Sequence, residues 1–140
     1  MRVVLDANVV FAGVGWRGEA HNCLLAMARR RITVFATLEI LEEVRALVAE
    51  RGSKFKHAPD NLLTWYYDRV KLVEPAPLGK QRSRDVKDDP CLACALAAGA
   101  KIIVSRDEDL LVMKKPFGIE IIRPPELLRK IKWATQLRTS

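Results

Sequence analysis

Ile102-Ile103-Val104 constrains this chain more than any other stretch. The three residues are β-branched and uninterrupted by polar side chains. Such a run is too short for a helix, lacks the alternation of a half-exposed strand, and fits a strand buried on both faces. A strand of that kind needs a covering layer on each side. The residues before it supply one: Leu92, Ala95, Leu96 and Gly99 fall at i, i+3, i+4 and i+7 of a helix. Pro90 suits the first helical position, Asp89 the N-cap, and Gly99 the stop. The strand then runs directly into Ser105-Arg106-Asp107-Glu108-Asp109. An acidic cluster therefore follows the carboxyl end of a buried strand, the edge where open α/β sheets bind ligands.

The rest of the chain repeats the pattern. Residues 2–5 and 32–36 read as strands, 71–73 as a short one, and 119–122 as the last. Helices are expected over 19–31, over 38–51 with Thr37 as N-cap and Gly52 as stop, over 60–70, and from Pro124-Pro125 with Leu127, Leu128 and Ile131 inward. Gly13, Gly15 and Gly18 point to a loose loop after Asn8, and residues 53–59 to a basic loop. Pro75, Pro77 and Gly79 mark another loop, one that carries Lys80, Arg82 and Arg84 toward the acids. Leu110-Leu111 begins a short helical turn. The expectation is one domain over 1–140, of α/β class: three layers, with a central, mostly parallel, twisted sheet of about five strands and helices on both faces.

Four carboxylates are placed for joint work. Asp6 follows the first strand as Asp107 follows Ile102-Ile103-Val104, so both belong at one sheet edge. Asp88 stands at the start of the Ala-rich helix, where it enters from that edge. On the helix after Thr37, the residues Ile40, Leu41, Val44, Leu47 and Val48 define the inward face, and Glu43 is the acid nearest to it. Glu39 and Glu42 point farther out. Carboxylates held together raise one another's pKa, which a divalent cation relieves, and oxygen donors select Mg²⁺ or Mn²⁺. Asp85 is assigned to a turn or to Arg84.

The order Val-Leu-Asp6-Ala7-Asn8, then Thr37 with Glu43, then Asp85-x-x-Asp88-Asp89 before an Ala-rich helix, then Val-Ser105-Arg-Asp107-x-Asp109-Leu-Leu resembles the PIN domain. In particular it is similar to the PIN-like toxin ribonucleases of toxin–antitoxin systems. The resemblance implies a metal-dependent endoribonuclease leaving 5′-phosphate and 3′-hydroxyl ends. It makes Asp6, Glu43, Asp88 and Asp107 the acidic quartet, with Asp109 as an extra acid and Asn8, Thr37 and Ser105 as supports. The family commonly has Thr or Ser where this chain has Ala7, which removes a hydroxyl and leaves the carboxylates.

The net charge of +7 favours a polyanionic partner, here RNA, with Lys80, Arg82 and Arg84 nearest the acids. The expected protein partners are a cognate antitoxin and a second copy of the chain, as a homodimer or higher. No apolar run approaches the ~18 residues of a membrane span, and no signal peptide is visible. Three cysteines without framework spacing suit a reducing, cytoplasmic setting. Cys91-x-x-Cys94 is assigned to helix packing, because the neighbouring acids oppose a reactive thiolate. Of the aromatic residues, Trp65-Tyr66-Tyr67 is assigned to core or interface, and Trp16 is the better candidate for base stacking. Two other functions compete. A haloacid-dehalogenase-like phosphatase would need a second Asp where Asn8 stands. The other is a catalytically weak module that binds RNA or protein through the basic surface.

Overall fold

The computed structural model describes residues 1–55, 60–84, 86 and 89–139, with side chains at 60, 61 and 133–139 left aside. Asp85, Asp88 and the 56–59 part of the expected basic loop lie outside the described residues. In chain order the elements are β1 (Arg2–Leu5), α1 (Ala7–Gly15), α2 (Glu19–Ala28), β2 (Thr33–Ala36), α3 (Leu38–Arg51), α4 (Asp60–Arg69), β3 (Lys71–Leu72), α5 (Asp89–Ala98), β4 (Ile102–Val104), α6 (Glu108–Leu111), β5 (Glu120–Ile122) and α7 (Pro124–Thr139). Single 3₁₀ turns lie at Gly52–Lys54 and Pro116–Gly118.

The five strands form one parallel sheet in the order β3-β2-β1-β4-β5. Val4 of the central strand pairs with Phe35 on one side and Ile103 on the other. Alternation along each strand divides the core into two. Val3, Leu5, Val34, Ile102, Val104 and Ile122 face α1, α2, α4 and α7, where they meet Val10, Leu24, Tyr66 and Leu127. Val4, Phe35, Ile103 and Ile121 face the other way, onto Ile40 of α3, Cys91, Leu92, Cys94 and Ala95 of α5, and Leu110 of α6. The result is the expected three-layer α/β architecture, with every strand parallel. Among the described residues, no helix is long and apolar enough to cross a membrane.

The largest departure from the sequence reading is α1. The stretch expected to be a loose loop is a helix that starts directly after Asp6, with Val9, Val10, Phe11 and Val14 buried. Its glycines serve close packing. A Cβ on Gly13 would stand 2.7 Å from the Ala20 carbonyl oxygen, and one on Gly15 would stand 2.1 Å from the Phe55 ring. Helix α2 stops at Ala28, earlier than expected, and the chain turns through Arg30 at φ 60°. Helix α5 is buried on a wider face than the four-residue stripe suggested: Cys91, Leu92, Cys94, Ala95 and Ala98 are all covered. It ends at Gly99, whose φ of +63° a residue with a Cβ rarely adopts.

Candidate active site

From β1 the chain lays β2 and β3 on one side of the sheet, then β4 and β5 on the other. The connections leaving β1 and β4 diverge, and at such a reversal of strand order a crevice opens at the carboxyl ends. Asp6 and Ser105 are the first residues past those two strands.

Asp6 is 4% exposed. Its backbone N–H donates to the Val104 carbonyl at 2.9 Å, extending the β1–β4 ladder by one residue. The Ser105 hydroxyl donates to Asp6 Oδ2 at 2.9 Å and accepts the Asp107 N–H at 3.0 Å. Ser105, itself fully buried, therefore fixes the spacing of the two acids. On the other oxygen, Oδ1, the Cys91 thiol approaches from the first turn of α5 at 3.9 Å. Asp107 caps α6, its Oδ1 accepting the Asp109 N–H at 2.9 Å. Asp109 pairs with Arg84 at 2.8 Å.

The electrostatics of Asp6 are unfavourable to its charge. Burial pushes its carboxyl above the ordinary carboxylate range; the Ser105 hydrogen bond opposes this, and the charge of Asp107 adds to it. Asp6 holds the N-cap position of α1, yet its side chain makes no capping hydrogen bond. The N–H groups of Ala7 and Asn8 at that helix start only partly draw the pKa back. The carboxylate is thus buried, oriented and under-compensated.

The remaining residues singled out from the sequence are placed as follows. Asn8 is exposed on the first turn of α1 and lines a groove of about 450 Å³ with Phe11, Ala12, Trp16, Arg106 and Asp107. Thr37 is buried and caps α3, its hydroxyl accepting the Ile40 N–H at 3.4 Å. Glu43 is half-buried on α3, whereas Glu39 and Glu42 are exposed, as the helical-face argument requires. Lys80 is exposed. The Arg82 guanidinium turns back, donating to the Leu78 carbonyl at 3.0 and 3.1 Å and lying 5.2 Å over the Phe117 ring. Among the described residues, Arg84 is the one of these three basic residues whose side chain pairs with a site acid, Asp109.

Asp89 differs from the expected N-cap. It lies inside the first turn of α5, and its carboxylate reaches back to the preceding loop. There it accepts the Arg82 N–H at 3.0 Å and both the N–H and hydroxyl of Ser83 at 2.8 Å. Burial pushes its pKa up, but these hydrogen bonds and the Arg82 charge outweigh it and hold the carboxyl below the ordinary range. Cys91 and Cys94 are buried and not joined in a disulfide, with the Cys94 thiol pushed up to about 12 by burial, as suits packing. The contact of Cys91 with Asp6 was not foreseen. It follows once α5 is seen to enter over the β1–β4 edge.

The donors at this edge are carboxylate and hydroxyl oxygens, the set that hard divalent cations prefer. Burial, with the like charge of Asp107 added to it, leaves Asp6 with a raised pKa, which a cation would relieve, so the described residues fit such an ion. Among the described residues no group of three or more His, Cys, Asp or Glu side chains gathers as a metal site. Asp88, the other acid expected here, lies outside them.

A family model described as PIN domain matches residues 2–109. The crystal structure of PAE2754 from Pyrobaculum aerophilum superposes with a TM-score of 0.63 at 18% sequence identity, covering 94% of this chain and 90% of that one. The likeness extends to the fold. No curated protein matches the chain significantly.

Proposed function

The chain belongs to the PIN domain family, and from that premise we propose that it is a divalent-metal-dependent endoribonuclease. PIN domains are typically nucleases and generally use divalent ions. The observation that carries the reading for this chain is the state of Asp6: a carboxylate buried at the strand-order reversal, held by Ser105, beside the like charge of Asp107. In this reading Asp6 and Asp107 hold the ion, joined by Glu43 from α3 and by Asp88, with Asp109 at the margin. When bound, the ion would lower the pKa of an attacking water and offset charge on the phosphate.

The chain's own residues do the positioning. Ser105 fixes both the Asp6 carboxylate and the Asp107 backbone, so the two acids keep one spacing. Asn8 faces the groove beside Asp107 and offers a neutral donor to a phosphate oxygen. Arg84, paired to Asp109, holds that acid's charge in check and would be released to phosphate as the ion takes over. The substrate is RNA, in keeping with a net charge of +7. We further propose that the protein is the toxin of a toxin–antitoxin pair, a reading supported by the motif order from Asp6 to Asp109.

The test is cleavage of single-stranded RNA with Mg²⁺ or Mn²⁺, with and without chelator, by the parent chain and by Asp6→Asn, Asp88→Asn and Asp107→Asn. Chelator and each substitution should abolish cleavage while circular dichroism stays unchanged. Chelator-insensitive cleavage would sink the metal-dependent reading. Inhibition by the product of a neighbouring reading frame tests the toxin assignment.

A further inference from the structure

The groove beside the acids continues. Ala12, Trp16 and Arg106 line the pocket that holds Asn8 and Asp107, and they also line a second of about 480 Å³. Its other walls are Gly18, Glu19 and Ala20 at the start of α2, and Arg123, Pro124 and Pro125 at the start of α7. The two pockets form one path that leaves the acids, passes between Trp16 and Arg106, and ends at Arg123.

Each element of this path has a property suited to a nucleic acid strand. Trp16 is partly exposed yet held: the Phe11 and Phe55 rings meet it at near right angles, both with centroids 5.7 Å away. A braced, half-exposed indole loses little freedom on stacking against a base. Arg106 is exposed and has no ion pair or hydrogen bond among the described residues. It is adjacent in sequence to Asp107, so a guanidinium stands one residue from a site acid. Arg123 is exposed and paired with Glu108. Glu19, which also lines this pocket, opposes phosphate, whereas Arg106 and Arg123 favour it. Arg82 lines neither pocket, its guanidinium being engaged by Leu78 and Phe117.

We propose that this path is the subsite for single-stranded RNA flanking the scissile phosphate, with Trp16 stacking a base and Arg106 and Arg123 contacting successive phosphates. The assignment rests on the ribonuclease reading and adds to it the route of the strand. It places the principal RNA contacts on segments far apart in sequence, away from the loop that carries Lys80 and Arg82.

The experiment is titration of a labelled single-stranded RNA 12-mer in chelator, followed by anisotropy across a salt series. The proteins are the parent chain, Trp16→Leu, Trp16→Phe, Arg106→Gln, Arg123→Gln and, as a control for bulk charge, Lys101→Gln, with thermal melts to monitor folding. Trp16→Leu should weaken binding roughly 5- to 100-fold, and Trp16→Phe much less. The Trp16→Leu loss should vanish on an abasic strand, a result a packing role would not give. Arg106→Gln and Arg123→Gln should each lower the slope of log affinity against log salt by about 0.7, on both strands. Arg106→Gln behaving like Lys101→Gln, or equal loss from Trp16→Leu on both strands, would overturn the subsite. RNA cleavage by the parent chain in Mn²⁺ separates the two levels. If cleavage is intact and the arginine variants bind normally, the subsite fails and the nuclease reading stands. If the parent chain neither binds nor cleaves, both fail.

Discussion

Asp6 and Asp89 are both buried aspartates near the same sheet edge, and their environments drive them in opposite directions. Asp89 collects three hydrogen bonds from Arg82 and Ser83, and its carboxyl is held below the ordinary range. Asp6 has one hydroxyl, a thiol at 3.9 Å and the N–H groups of Ala7 and Asn8, and burial together with the charge of Asp107 still pushes its carboxyl up. A buried charge must be met by hydrogen bonds or opposite charge. For Asp89 the protein meets that need from two backbone N–H groups, the Ser83 hydroxyl and the Arg82 charge, and the result is a loop fastened to the start of α5. For Asp6 the protein orients the carboxylate and leaves its charge under-compensated. The difference separates an acid that builds the fold from one suited to receive a cation.

The strongest test of this contrast is activity. Asp6→Asn should reduce RNA cleavage on the order of a thousandfold, the scale of losing several kcal/mol of metal-supplied stabilisation. Asp89→Ala should leave the turnover of the folded fraction within a few-fold. Comparable loss from both would erase the distinction. Metal-linked stability comes next. At a hundred times Kd, an ion that binds only the folded chain adds about 2.7 kcal/mol, or roughly 10 °C for a chain of this length. Mn²⁺ should therefore raise the melting temperature of the parent and of Asp89→Ala, while Asp6→Asn blunts the rise. The same melts rank Glu43→Gln against Glu42→Gln, and only the half-buried Glu43 should matter. Without metal the order inverts. Asp89→Ala should cost about 2 kcal/mol, because Ser83 loses a buried acceptor, whereas Asp6→Asn should cost nothing or stabilise.

The contrast was only partly legible in the sequence. Asp6 and Asp107 can be placed together because Asp6 directly follows one unbroken apolar strand, Asp107 lies three residues past another, and parallel strands end at one edge. Glu43 was separable from Glu42 because helical period fixes which side faces inward. Helix α1 was missed because Gly13 and Gly15 read as chain looseners. Only their neighbours in space, Ala20 and Phe55, reveal that they permit contact. Asp89 reads as a cap because sequence does not show which way a first-turn carboxylate turns. Trp16 stands out in the sequence as a stacking candidate, but its path to Arg106 and Arg123 does not, because the three lie just past the end of α1, in the β4–α6 junction and just before α7, which only the folded sheet brings together.

The smallest expected effect concerns acid, and its sign differs between the two residues. In both cases the unfolded reference is close to the ordinary value of 3.8. Asp89 has a lowered folded-state pKa, so its contribution is fully present above 3.8 and is lost as pH falls from there through the lower folded value. Asp6 has a raised folded-state pKa. Its ionised form costs stability at neutral pH, and that cost is relieved as pH falls through the raised value toward 3.8. Urea midpoints in chelator, measured from pH 7 down to the onset of acid unfolding, should resolve the two. Asp6→Asn should gain most over the parent at neutral pH, with the gain shrinking as pH approaches 3.8. Asp89→Ala should lose most at neutral pH, with its deficit narrowing only below 3.8. A gain for Asp6→Asn that grows on acidification would mean that its carboxyl is stabilised in the folded state, and Asp6 would then belong with Asp89 among the acids that build the fold.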